Sequence, residues 1–208
     1  GEVRDRTDAA ITYTFIYAGA YRKSRERARA TLDRARDVGD KFSEGDAWNQ
    51  LGECARFERE WGEARRYYQR AAREYERIGY RGVSIARMNM AMVEVPAGRF
   101  ESARREFEEL EKTLPEVGLR SQLPQVYTGQ LAAAAGLGDW EAFDRLLGEL
   151  QSAYAANEGV SKDTAWLAEH AARLTVERAA HGRARRTYRT ARELWEHLGN
   201  AIQARPLD

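Results

Sequence analysis

The sequence predicts an all-α fold, an α-solenoid of about five stacked helix-turn-helix units. Three features predict it: a recurrence near 40 residues, a glycine stop closing each unit, and apolar residues stepping by three and four between the stops. The recurrence is plainest between Trp61–Tyr80 and His181–Asn200, which align without gaps at an offset of 120. Gly62/Gly182, Ala64/Ala184, Arg65/Arg185, Arg66/Arg186, Tyr68/Tyr188, Ala71/Ala191, Glu76/Glu196 and Gly79/Gly199 are identical pairs. Tyr75/Trp195 and Ile78/Leu198 are similar.

Intermediate copies fall where that period requires. Tyr21, Trp61, Phe100, Trp140 and His181 open the second helix of each unit, and Gly39, Gly79, Gly118, Gly159 and Gly199 follow its end. The residue past a helix C-terminus commonly turns left-handed, a conformation that a Cβ disfavours, so each glycine marks a stop. Ala64, Tyr68, Ala71, Tyr75 and Ile78 then share one stripe, as do Ala184, Tyr188, Ala191, Trp195 and Leu198. The expected pairs are 7–18 with 21–38, 44–58 with 61–78, 83–95 with 100–113, 121–136 with 140–156, and 162–179 with 182–198. Ser43 and Ser161 are the expected N-caps, because each hydroxyl can accept from a first-turn N–H. A single pair cannot bury its own stripe, so neighbours must stack. The expectation is one helical repeat domain over 1–208, with units at about 5–40, 45–80, 84–119, 124–159 and 165–200.

Composition agrees with helix and narrows the function. Hydrophobic residues make up 43% and charged residues 32%, enough apolar surface to bury a core. The 34 basic and 33 acidic residues nearly cancel, so no global field demands nucleic acid or an anionic membrane. Only four of the basic residues are lysine, which reads as the coding bias of a GC-rich bacterium before it reads as a binding preference. The single cysteine, Cys54, falls in an apolar helical stretch, as expected of an inert thiol in a reducing cytoplasm. No apolar run reaches the ~18 residues that would span a bilayer, and the first residues are polar, so neither signal peptide nor anchor is read.

Trp48, Leu51, Gly52 and Ala55, followed by Ala64, Tyr68 and Ala71, resemble the tetratricopeptide repeat (TPR) pattern W-x2-L-G-x2-Y…A-x3-F. Met90-Ala91 stands in place of Leu-Gly in the third unit, Phe143 in place of the small residue in the fourth, and the closing Pro is missing. The period also exceeds the family's usual ~34 residues, and resembles the long-repeat arrays of bacterial signalling proteins. The resemblance implies a right-handed superhelix whose first helices line a concave face that holds a peptide. On that basis the partner-binding residues are Tyr13 and Tyr17, then Asn49, Glu53, Arg56 and Phe57, then Met88, Asn89 and Met92. Asn49 and Asn89 lie 40 apart, so their carboxamides are expected to face one groove and bond a peptide backbone.

Residues for catalysis are sparse. His170, His181 and His197 have no metal-ligand spacing and no second cysteine to assist them, so no metal and no cofactor is expected. Gly136-Leu137-Gly138 lacks the strand and the Lys-Ser/Thr of a phosphate loop and reads as a turn. Glu106, Glu108, Glu109 and Glu111 lie among arginines, as on a solvated helix face. Basic clusters at Arg22, Lys23, Arg25, Arg27, Arg29, Arg34 and Arg36, and at Arg183, Arg185, Arg186, Arg189 and Arg192, are the rival feature. They fall on second helices without interleaved aromatics, so nucleic acid is not the expected partner. The chain ends ten residues after Leu198, too soon for a capping helix. An open apolar edge is therefore expected there, with the chain either part of a longer protein or self-associating through that end. The expected function is a non-catalytic, cytoplasmic scaffold for protein or peptide, a docking or regulatory module of a bacterial signalling protein. The alternative is a sensor that takes a small molecule or peptide pheromone in its groove.

Overall fold

The computed structural model describes residues 11–16, 18–156 and 160–199, and among these all regular structure is helical. Residues 11–16 are helical and are labelled α1. They are followed by α2 (Tyr21–Val38), α3 (Lys41–Phe57), α4 (Trp61–Arg77), α5 (Gly82–Glu94) and α6 (Phe100–Glu116). A short 3-10 turn (Arg120–Gln122) leads into α7 (Leu123–Leu137), α8 (Trp140–Ala155), α9 (Lys162–Glu177) and α10 (His181–His197). Tyr17 and Gly159 lie outside the described residues.

Most ends fall within two residues of expectation, and two depart for clear reasons. Ser43 does not cap α3. The helix starts at Lys41 because Asp40 caps it, its carboxylate accepting from Ser43 N (3.1 Å) and from the Ser43 hydroxyl (2.7 Å). An ionised acceptor at the positive end of the helix dipole is a better cap than a hydroxyl three residues inside. Those Ser43 bonds hold the Asp40 carboxyl below its ordinary range against its partial burial. Ser161 does cap α9, accepting from Thr164 N at 3.1 Å. The second departure is α6, which runs through Pro115 to Glu116. A proline in the last turn removes only one terminal donor.

The chain divides into two compact units, Gly1–Val93 and Glu94–Asp208. In the first, α3 packs between α2 and α4 and is buried almost all round, from Ser43 to Arg56. Its core gathers Ala28, Leu32, Ala47, Trp48, Leu51, Ala71, Tyr75 and Ala86, with Ala55, Ala64, Tyr68 and Val93 beside it. The α3–α4 contact is close because α3 has no side chain where α4 presents rings. A Cβ on Gly52 would stand 2.5 Å from Tyr68 Cε1, and one on Gly45 2.6 Å from Tyr75 Cε1. Both glycines are two helical turns apart, so two notches receive two tyrosines. In the second unit, α7 packs against α6, α8 and α9, and its Gly129 and Gly136 receive Phe107 and Phe100 of α6 in the same way.

The exposed residues of α10 are His181, Gly182, Arg185, Arg186, Arg189, Arg192, Glu196 and His197. No described residue of this helix is an exposed large hydrophobic. In α9, the helix paired with it, Val176 is 46% exposed.

First helices also end left-handed, at Gly19, Gly98 and Gly138, but the corresponding places in the second and fifth pairs hold Arg59 (φ 62°) and Ala179 (φ 57°). A side chain there costs roughly 1 kcal/mol. Ala179→Gly, which removes only an exposed methyl, should accordingly raise stability by about 1 kcal/mol in urea denaturation; an unchanged or lowered midpoint would contradict the strain.

Candidate functional site

The polar residues of the first unit converge on one stripe of α3. Asp46, Asn49, Glu53 and Arg56 follow one another at steps of three and four, so they share a face. From α1, Tyr13 reaches this stripe, its hydroxyl accepting from Asn49 Nδ2 at 2.9 Å. From α5, Asn89 donates its Nδ2 to Asn49 Oδ1 at 3.1 Å. Consecutive first helices thus carry one rung each of a ladder Tyr13–Asn49–Asn89. Asn49 is 9% exposed and Asn89 6%, so these carboxamides are largely withdrawn from water and the mutual bonds offset that loss. A carboxamide offers two donors and an acceptor with two lone pairs. Of this capacity the ladder uses one donor and one lone pair of Asn49 and one donor of Asn89.

One turn along α3, Glu53 is held from two sides. The Tyr68 hydroxyl donates to Oε1 at 2.6 Å, and Arg56 Nη2 donates to Oε2 at 2.6 Å. The Arg56 guanidinium also lies 4.8 Å over the Phe57 ring, which stacks on Tyr21 at 6.0 Å. Phe57 is exposed, whereas Glu53 and Arg56 are buried, a pair whose charges are answered within the unit.

In the opposite direction along α3, Tyr75 donates its hydroxyl to Asp46 Oδ1 at 2.5 Å. Burial pushes the Asp46 carboxyl above its ordinary value, with the Tyr75 bond opposing and Asp40 reinforcing. The Tyr75 phenol is pushed up by burial and by Asp46, with Tyr13 and Tyr80 contributing. The rings of Tyr75, Tyr80 and Phe42 meet edge-on or tilted, at 5.2 Å for Tyr75–Tyr80, 5.0 Å for Phe42–Tyr80 and 6.4 Å for Phe42–Tyr75.

Of the residues expected to meet a partner, the structure joins Tyr13, Asn49 and Asn89 in one network and Glu53, Arg56 and Phe57 in a second. Met88 (2% exposed) and Met92 (0%) are enclosed, so here they supply packing and not adaptable surface. Tyr17 is outside the described residues. The sequence reading missed Asp46, Tyr75 and the two exposed rings; the available signal was the three-residue step from Asp46 to Asn49.

The basic clusters are largely engaged within their own units. Arg25 donates to Glu58 at 2.7 Å and also to Glu60, Arg36 donates to Glu44 at 3.1 Å, and Arg183 and Arg186 both grip Asp144, at 2.6 and 2.8 Å. An open depression at the start of α10 is lined by Ala179, Ala180, His181, Gly182 and these two arginines. Among the described residues no three His, Cys, Asp or Glu groups stand together as metal ligands, and no helix is long and apolar enough to cross a membrane.

Ionised Asp46 is a cost to the fold with a calculable sign. Its folded pKa stands above the unfolded one, so stability is lost as pH rises through the window between them. Asp46→Asn keeps an acceptor for Tyr75 and removes the charge. The variant should be at least as stable as wild type in urea at neutral pH, and the difference should close below about pH 4; a variant clearly weaker at neutral pH would contradict the assignment.

No family model and no curated protein matches the chain by sequence. Solved structures do match it by fold. A Rap protein complexed with Competence and Sporulation Factor superposes with a TM-score of 0.74 at 18% identity, covering 98% of this chain and 54% of that one. This chain therefore spans about half the length of that Rap protein. Nearly identical TPR-like repeats attributed to a Podosopora anserina kinesin light chain match in two structures. Their TM-scores are 0.66 and 0.65 at 11% and 12% identity, covering 95% of this chain and 97% and 98% of theirs. At these identities the likeness is one of fold: the chain is a TPR-like helical repeat array.

Proposed function

We propose that this chain is a non-catalytic scaffold that binds a peptide segment along the first helices of its N-terminal unit, as a docking or regulatory module of a cytoplasmic bacterial signalling protein. The observation that carries this reading is the ladder. Carboxamides at equivalent positions of consecutive first helices offer donor and acceptor together, the complement of a peptide unit, which presents the same pair in every residue. An apolar residue at Asn49 or Asn89 would satisfy the core without hydrogen-bond accounting, so keeping polar groups there has a stability cost that binding explains. The Tyr21–Phe57 pair at one end and the Phe42–Tyr80 pair at the other supply apolar contact for side chains of the segment. A TPR-like neighbour of known structure holds a bound factor, which supports a binding role for this fold.

The test is selection from a random pool of short synthetic peptides on the immobilised chain. Wild type should enrich a sequence class, and Asn49→Ala and Asn89→Ala should each weaken its binding by several-fold to about tenfold, the worth of a hydrogen bond to a partly buried peptide group. Equal enrichment by wild type and both variants would place the site elsewhere. Enrichment of small metabolites in place of peptides would favour the sensor reading.

A further inference from the structure

The carboxylates of the first unit that are withdrawn from solvent fall into two kinds. Glu44 is held by Arg36 and Lys41, Glu53 by Arg56, and Glu74 by Arg77 and Lys41. Asp40 spends its charge on the N-terminus of α3. Asp46 is the exception: it accepts from the neutral Tyr75 hydroxyl, and no cation pairs with it among the described residues. A carboxylate partly withdrawn from water without a counter-charge is an expensive arrangement. Tyr75 is buried beside it, Tyr80 and Phe42 pack on Tyr75 and on one another, 38% and 40% exposed, and the Asp40 carboxylate adds negative field. Aromatic faces attract cations, and most strongly where water is partly excluded.

We propose that Asp46 and the rings of Tyr75, Tyr80 and Phe42 form a subsite for a cationic nitrogen of the bound segment, the ammonium or guanidinium of a basic side chain or a free N-terminal amine. This rests on the peptide-binding reading of the same stripe, since Asp46 lies one helical step from Asn49. A segment bonded to the carboxamides has its neighbouring residue at the carboxylate. The incoming charge supplies what the fold withholds: it neutralises Asp46, adds a charge-assisted hydrogen bond to the carboxylate oxygens not used by Tyr75, and meets ring faces that are accessible from solvent through Phe42 and Tyr80. The Glu53 end has no such demand, because Arg56 already answers it.

Two measurements separate this inference from the reading it rests on. In the first, n-butylguanidinium and n-butylammonium are titrated into the intact chain and followed by NMR. The ring signals of Tyr75, Tyr80 and Phe42 should shift in wild type and stay in place in Asp46→Asn, which keeps the Tyr75 bond. Absence of a shift in wild type overturns the subsite, whatever peptides do. In the second, four pools of short peptides are compared: N-acetylated with lysine, N-acetylated with arginine, free N-terminus without either, and N-acetylated with neither. At least one cationic pool should bind wild type about tenfold more tightly than the neutral pool, and Asp46→Asn should erase the difference, as loss of a charged, partly desolvated contact requires. The pool that leads identifies the source of the nitrogen. Pools that bind wild type without discrimination, or a preference that survives in Asp46→Asn, overturn the inference. Shifts with the small cations but no binding of any pool would leave the cation subsite standing and remove the peptide-binding reading.

Discussion

The first unit depends on how closely α3 and α4 approach. Gly52 and Gly45 leave two notches, and the rings of Tyr68 and Tyr75 fill them. The consequence extends beyond packing. Each tyrosine carries a hydroxyl past the notch to a carboxylate on the polar stripe, Tyr68 to Glu53 and Tyr75 to Asp46. The contact that closes the core therefore also fixes the two acidic positions that flank the carboxamide ladder. A larger residue in either notch would move a ring by ångströms and a hydroxyl with it, and the stripe would lose its geometry together with its support.

Around that contact the burial of polar groups is uneven. Glu53 and Arg56 answer each other, and the ladder residues bond one another, which offsets part of the cost of burying them. Asp46 has only a phenol. Polar groups that a core does not need, one of them without a counter-charge, are where local consistency gives way, and such places are the expected locations of binding. The second unit uses the same notch device at Gly129 and Gly136, yet fills it with Phe107 and Phe100, rings that carry no hydroxyl to a partner. Packing is thus repeated in both units, while among these four rings only the two tyrosines of the first unit deliver a hydroxyl to a carboxylate.

Much of the fold was legible because it is written in period and in stops. The left-handed glycines at 39, 79, 118 and 199 fell where the sequence placed helix ends. A second series at 19, 59, 98, 138 and 179 went unread, because an arginine and an alanine interrupt it and a Cβ in that conformation has no signature in sequence. Residue preference points to Ser43 as the cap; that Asp40 instead accepts from Ser43 N depends on an extended backbone at residue 40, which only the folded chain shows. The site divides similarly. The spacing of 40 put Asn49 and Asn89 on one face, and they do bond each other. The resemblance alone does not tell a groove wall from a core: Met88 and Met92, expected on the groove, are enclosed. Asp46 has no such signal, because its partner Tyr75 is 29 positions away on another helix.

The claim that the Gly52–Tyr68 notch governs the approach of the helices has a sharp thermodynamic test. Gly52→Ala is measured by urea denaturation in the wild-type background and again in Tyr68→Ala, completing a double-mutant cycle. With the ring in place, the clash should outweigh the helix-propensity gain and the substitution should destabilise by roughly 1–2 kcal/mol. With the ring removed, the same methyl should stabilise by about 0.5–1 kcal/mol, a reversal of sign. An equal cost in both backgrounds would show that the ring is not what the glycine accommodates, and the account built on that contact would fail.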